Sequence, residues 1–406
     1  MAAEFDPEEF YEDEEVGGGS PSVRRVYWRA IQTLLIALGI QTIAGLSPSM
    51  IENYYSQKIY LYIPWLLAKA NQQVETSLAE VFFLVLIGVF LLWGLWSAIR
   101  AYQGRAPLRD SLKVILLYII WTASILFIVF KLLWGLNYQR LPLAEVARFE
   151  PRYARTEELQ EIGNLIANGI RTNSNAPPTT PSSNVPDDPT SRNVPPVELK
   201  AIASNLELAF RVTDLFRRFD QWTFGSPKFL ESSPLIKFLG IRSFYLPFTG
   251  EVSVQRGLSS VDLPFAIARA MAYQRGYARE DEVNFVAYLV CVNATDARIR
   301  YSGYVHGARV LLALERSGIG SYIDGLGDES TRLIRQREAE AAWSFGGLAS
   351  SFVEGLFNFH LRVNRVVAGT RSADGDIDLI VSYYLADKKR LTDRFLDATR
   401  PGASGE

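Results

Sequence analysis

Val81–Ile99 reads VFFLVLIGVFLLWGLWSAI, a run without a single charge. As a helix it is long enough to cross ~30 Å of hydrocarbon, which takes about 20 apolar residues. A soluble helix of that length keeps a polar face, and this one has none. Val114–Phe130 is equally clean and is closed by Lys131. A weaker third stretch lies upstream, interrupted by Arg29, Gln32 and Gln41. Spans are therefore expected at about 27–46, 81–99 and 114–130. Tyr27, Trp28, Trp93, Trp96, Trp134 and Tyr138 fall near their ends, where amphipathic rings prefer the headgroup layer.

The rest of the chain is of another kind. Over 406 residues the mean hydropathy is +0.05 with 21% charged residues, too apolar for a soluble protein and too charged for a pure transporter. A membrane part and a water-soluble part account for that average. The net charge of -2 argues against a nucleic-acid binder. Cys291 is the lone cysteine, so the chain has no internal disulfide and no CxxC zinc motif. His306 and His360 are the only histidines, which removes most histidine-dependent catalysis.

Residues 1–16 carry eight carboxylates and no base, the reverse of a signal peptide's basic leader. Arg24 and Arg25 precede the first span, and Arg100, Arg105, Arg109 and Lys113 crowd the connection between the second and third. The connection between the first and second has only Lys58 and Lys69. Positive-inside bookkeeping puts the N-terminus in the cytoplasm of a bacterial cell and everything after Tyr138 on the extracytoplasmic side. Residues 50–72, rich in Tyr, Trp and Leu, read as an amphipathic piece in the membrane interface, with packing on the soluble domain as the alternative. The expected organisation is an acidic disordered tail (1–25), a transmembrane domain (26–138) and an extracytoplasmic domain (139–398) with a Pro/Ser/Thr-rich disordered insert at 172–197.

In that domain, helical spacing of apolar residues marks 154–171 and Val197 to about Trp222. Phe244–Phe248 and Val252–Val254 flank Thr249-Gly250-Glu251 as two strands about a turn. Helices follow at Pro264–Gly276, Glu280–Asn293 and about Tyr304–Arg316, then around Ser330–Val363 and Asp376–Lys389.

The run LPFAIARAMAYQRGYAREDEVNF (Leu263–Phe285) resembles the core signature of a bacterial membrane-protein family of unknown function. So do LSPSMIENYYSQKIY after the first span, WGLNYQRLPL (Trp134–Leu143), SPKFLESSPLIKFLGIRSFYLPFTGEVSV (Ser226–Val254), RYSGY (Arg300–Tyr304) and the segment Val363–Leu385. The resemblance implies three N-terminal spans and a zinc-peptidase-like domain, whose signature reads HELAHQRG followed by AREDEANF. The implied fold is mainly α: a three-helix transmembrane anchor, then a zincin-like α+β extracytoplasmic domain with a small sheet.

Where that signature has HExxH, this chain has Arg269-Ala270-Met271-Ala272-Tyr273. HExxH puts two histidines on one helix face to bind zinc, and its glutamate deprotonates the zinc-bound water. Arg269 stays protonated and has no lone pair to offer, and Ala270 has no base. Tyr273 could ligate only as a phenolate. No metal, no cofactor and no catalytic residue is therefore expected. Of Glu280, Asp281 and Glu282, the resemblance suggests Glu282 as the third ligand position, and Arg269 is expected to pair with it. The ordinary reading of those acids is a helix start stabilised by its dipole.

Other signals carry less. Asp374-Gly375-Asp376-Ile377-Asp378 lacks the later residues of an EF-hand. Gly318-Ile319-Gly320 follows a helix rather than a strand, and Asn293-Ala294-Thr295 is a sequon by spelling only. Ser302 has no evident base and no GxSxG around it. His306, His360 and Cys291 read as structural. Glu251 and Glu280 could face one another across a cleft as an acid–base pair. The aromatic-studded acidic tail could be a short motif for a basic partner.

The expected function is non-catalytic: a membrane-embedded pseudo-peptidase that binds and helps assemble, stabilise or regulate another membrane or extracytoplasmic protein. Its partners are the lipid bilayer and that protein, not nucleic acid. The expected binding edge is Phe244, Tyr245, Phe248, Glu251, Val252 and Val254, since peptidase-type strands accept extended chains. The alternative is a hydrolase using unconventional residues in the same cleft.

Overall fold

The apolar runs become helices α1 (Pro21–Ala44), α3 (Leu78–Tyr102) and α4 (Leu108–Leu133) in a computed structural model. It describes residues 21–103, 108–149, 154–174, 195–232, 240–343 and 375–386. The acidic tail, most of the Pro/Ser/Thr-rich insert, His360, Asp374 and the helix expected beyond 343 lie outside these residues.

Three stretches are long and apolar enough to cross a membrane: Arg25–Ala44, Leu78–Ile99 and Ile115–Leu133. Their large side chains point outward, Leu84 and Leu92 each being 69% exposed, a surface of the kind that suits hydrocarbon. The hydroxyls of Thr33, Thr42 and Ser124 donate back to carbonyls of the preceding turn, so they need no water.

By contacts the chain divides into two compact units, Met1–Ile43 with Phe83–Leu132, and Ala44–Phe82 with Leu133–Glu406. The first unit holds α1 and most of α3 and α4, with Trp93 edge-on to Tyr118 at 4.9 Å. The second unit holds the rest and includes residues 44–82. The segment 50–72 therefore packs with the chain that follows the third apolar helix, as the alternative reading had it.

That segment is a π-helix (Ile51–Ile59) running into α2 (Tyr62–Asn71). Glu52, Ser56, Tyr60, Pro64 and Ala68, spaced by four, are all buried. In an α-helix a four-residue step overshoots one turn, and in the wider i→i+5 helix it falls short. Joining the two lets the drifts offset, so one face stays inward over four such steps.

Next come α5 (Thr156–Asn173) and α6 (Pro196–Val212). The helix expected to reach Trp222 stops at Thr213, whose backbone is extended, and a 3-10 turn follows at Asp214–Phe219. The break turns Phe216 and Phe219 onto Phe210 and Tyr277 in the core.

The sheet has order β1-β3-β2: β1 (Lys228–Leu230) is parallel to β3 (Glu251–Gln255), and β2 (Ser243–Leu246) is antiparallel to it. β1 was not expected from the sequence, and it corrects the binding edge. β3 is paired on both sides and buried throughout, so Glu251, Val252 and Val254 cannot offer a free edge. Phe244 and Tyr245 lie on β2, which pairs with one strand among the described residues. Phe248 stacks on Phe82 at 5.0 Å, beyond the strand's end.

Helices α7 (Asp262–Gln274), α8 (Glu280–Val292) and α9 (Ala297–Arg316) complete the core, followed by α10 (Asp328–Trp343) and a last helix, α11, at 376–386. α9 starts earlier than expected because the Asp296 carboxylate accepts from the Arg298 amide and caps it. α8 is apolar after its acidic first turn but has 13 residues, too few to cross a bilayer, and it is enclosed by protein. Gly307 lets α9 close on it, since a Cβ there would stand 2.6 Å from the Tyr288 ring.

Candidate functional site

α7 packs against β2 and β3 on one side and α8 on the other. Its four-residue spacing puts Arg269 and Tyr273 on one face. Both reach the first turn of α8. Arg269 Nη2 donates to Glu280 Oε2 at 2.6 Å, and the Tyr273 hydroxyl donates to Glu280 Oε1. Each oxygen of the Glu280 carboxylate thus has its own donor.

The partner of Arg269 is therefore Glu280 and not Glu282. Residues two apart on a helix point about 200° apart, so only one of the pair can face α7. Glu282 faces the other way, and its Oε1 accepts from the Leu143 amide at 2.7 Å. Its Oε2 has no hydrogen-bond partner among the described residues. Burial raises this carboxyl to about 7, against the pull of Arg140, the Leu143 amide and Arg279. Burial disfavours the Arg269 cation, but Glu280 and Tyr273 more than offset that and hold it charged. Burial and then the Glu280 charge push the Tyr273 phenol far up, so it is a donor and never a phenolate ligand. Ala270 is wholly buried and contributes packing only.

A second polar group adjoins the first. His306 Nε2 lies 2.9 Å from Asp376 Oδ2, and Arg309 Nη1 is 3.0 Å from the same carboxylate. The His306 ring stacks on Phe265 of α7 at 3.8 Å. Burial lowers the imidazole below its usual range although Asp376 opposes this, so it is neutral at pH 7. The sequence marked His306 as structural and Asp376 as part of a run that falls short of an EF-hand. The two are 70 residues apart, and no local pattern links them.

The reading also missed what the motifs beside the spans do. Arg140 forms a two-pronged pair with Glu52, Nε to Oε2 at 2.7 Å and Nη2 to Oε1 at 2.8 Å, and donates from Nη1 to the Gly276 carbonyl. Trp134 Nε1 donates to the Tyr273 carbonyl at 2.8 Å, and the Tyr60 hydroxyl to the Gln274 carbonyl at 2.7 Å. All three satisfy the end of α7, just below Arg269 and Tyr273. The signal was there: Glu52 is the lone acid between residues 45 and 74.

Glu251 does not join this site. It caps the start of α3 through the Leu78 amide and the Ser77 hydroxyl, and it pairs with Lys228 at 3.4 Å. The acid–base pair with Glu280 thus has both members engaged elsewhere. Ser302 accepts from the Phe265 amide at 3.1 Å, a bond inside the core. Cys291 is fully buried, and burial raises its thiol. Among the described residues, no three His, Cys, Asp or Glu side chains gather as a metal site requires.

No match was found among the curated proteins or among the solved structures. A family described as protein of unknown function (DUF3810) matches residues 55–381. The match takes in α7, α8 and the Arg269–Tyr273–Glu280 cluster, together with the His306–Asp376 pair. It runs over well more than half of the chain, which therefore belongs to the DUF3810 family.

Proposed function

We propose that this is a non-catalytic, pseudo-peptidase-like membrane protein whose water-soluble domain binds another membrane or extracytoplasmic protein and helps assemble, stabilise or regulate it. The observation that carries the reading is the Arg269–Tyr273–Glu280 cluster. At the two helix positions where the resemblance places metal-binding histidines stand a fixed cation and a phenol, and both are spent on the carboxylate of the next helix. A guanidinium cannot ligate, and its charge opposes a divalent ion beside it. Arg269 keeps 26% of its side chain exposed, so a partner's carboxylate can reach it.

The recognition element is the β2 edge, Ser243–Leu246, beside α7. An extended segment adding to it would pass near the Arg269 cation, combining main-chain pairing with charge. The excess of arginine and lysine at 100–113 supports placing this domain outside the cytoplasm.

The His306–Asp376 pair favours one second reading, a hydrolase with His306 as the general base. A neutral imidazole oriented by a carboxylate is the usual arrangement for that role. Against it, Nε2 is engaged by Asp376 and the ring is pinned on Phe265.

Purification in mild detergent from native membranes, with mass spectrometry and metal analysis, separates these readings. The binding role expects a near-stoichiometric protein that disappears with Arg269→Gln while the variant stays folded. Stoichiometric zinc, or a protein free of partners that hydrolyses peptides or esters and loses this with His306→Ala, would overturn it.

A further inference from the structure

The segment between the first and second apolar helices has two faces of opposite chemistry. Its inner face is bonded into the domain, Ser56 donating to Asn137 Oδ1 at 2.8 Å and Asn71 to the Thr249 carbonyl at 3.3 Å. Its outer face repeats with the same spacing of four: Met50, Tyr54, Lys58, Tyr62 and Leu66 are all exposed. Tyr62 is 61% and Leu66 63% exposed, a large apolar surface for a water-soluble domain. Lys58, Ile59, Tyr62, Ile63 and Leu66 line a shallow apolar groove on it.

We infer that this outer face, Met50 to Leu66, is seated in the headgroup layer of the bilayer and takes anionic phospholipid through Lys58 and Lys69. Covalent continuity supports a lipid surface. The chain leaves one membrane-crossing helix at Ala44 and enters the next at Leu78, so both ends of the segment start from the same membrane surface. Charge supports it as well. The only acid between residues 45 and 74 is Glu52, turned inward and bound by Arg140, while both bases stay outside. Each lysine lies over an aromatic ring, Lys58 over Tyr54 at 5.1 Å and Lys69 over Trp65 at 3.8 Å. Apolar stems and rings with cationic tips are what the interface selects. The π turn keeps Tyr54 and Tyr62 in line, which a continuous α-helix would rotate apart.

The test uses the full-length protein reconstituted in phosphatidylcholine vesicles, with or without phosphatidylglycerol. Single cysteines replace Ile59 or Leu66 and carry an environment-sensitive fluorophore, with Leu208 on α6 as the control; native Cys291 is fully buried. Nitroxide placed at the headgroup end of the lipid should quench the two labels roughly threefold more than the control, as interfacial burial demands. Phosphatidylglycerol should increase that quenching, and K58Q/K69Q should remove the increase. Labels that aqueous iodide reaches as readily as the control would show a solvated face. Labels reached by neither quencher would show that another protein covers it. Either result overturns the inference, and so does quenching that ignores lipid charge.

Discussion

The first turn of α8 places two glutamates, two residues apart, in two unlike surroundings. Glu280 meets Arg269 and Tyr273 at a place water still reaches. Glu282 lies on the opposite side near the Glu52–Arg140 pair, where both partners are at most 2% exposed. The first group is small, self-neutralised and open. The second is enclosed and ties the segment after the first span and the segment after the third to the end of α7. Water reaches Arg269 in the first group, whereas the second group is shut away from it and holds the scaffold together.

The largest effect should come from Arg140→Ala, which removes both short bonds to the buried Glu52 carboxylate and leaves it only Gln57 and the more distant Arg218. A loss of about 3–5 kcal/mol is expected, read as thermal unfolding in detergent. If the loss were no greater than for Arg269→Ala, the distinction between enclosed and open groups would collapse.

Glu282→Gln should act through pH. The folded carboxyl sits at about 7 against a usual 4.5, so the folded state favours the protonated form. That contribution is fully present below about 4.5 and is lost as pH rises through about 7. The amide carries no such cost, so the variant should gain up to about 2–3 kcal/mol over the native protein at pH 8 and nothing at pH 4. Parallel pH profiles of unfolding would show that Glu282 is not desolvated.

Arg269→Ala should cost about 1–3 kcal/mol by removing a charged hydrogen bond that is open to water. Unchanged thermal stability would mean that the cation is not paired with Glu280. Tyr273→Phe should cost least, about 1 kcal/mol, because Arg269 still satisfies one carboxylate oxygen. Since the phenol stays protonated, that loss should be flat from pH 5 to 9, and a loss that grows with pH would contradict the bond.

Much of the fold was legible. Uninterrupted apolar length marks α3 and α4, and the Pro264–Gly276 punctuation marks α7 within two residues at each end. Strands β2 and β3 were legible from their turn, with Gly250 at φ +67. β1 was not, since three residues of a parallel pair carry no local period. That omission turned a central strand into a supposed edge. The segment 50–72 was ambiguous because it is amphipathic, and only the tertiary contacts showed that its inner face is bonded to Asn137, Arg140 and Thr249.

The sequence alone determined that three helices are long and apolar enough to cross a membrane, and that Arg269 and Tyr273 share a helix face, because each follows from the local pattern of a single helix. It also determined that no histidine stands at those positions. Only the tertiary structure decided which glutamate meets them, since that depends on how α8 is rotated against α7. It alone joined Glu52 to Arg140 and His306 to Asp376, pairs 88 and 70 residues apart. Such pairs form when packing brings distant segments together in an interior where a buried carboxylate must find donors, a condition that no stretch of sequence states by itself.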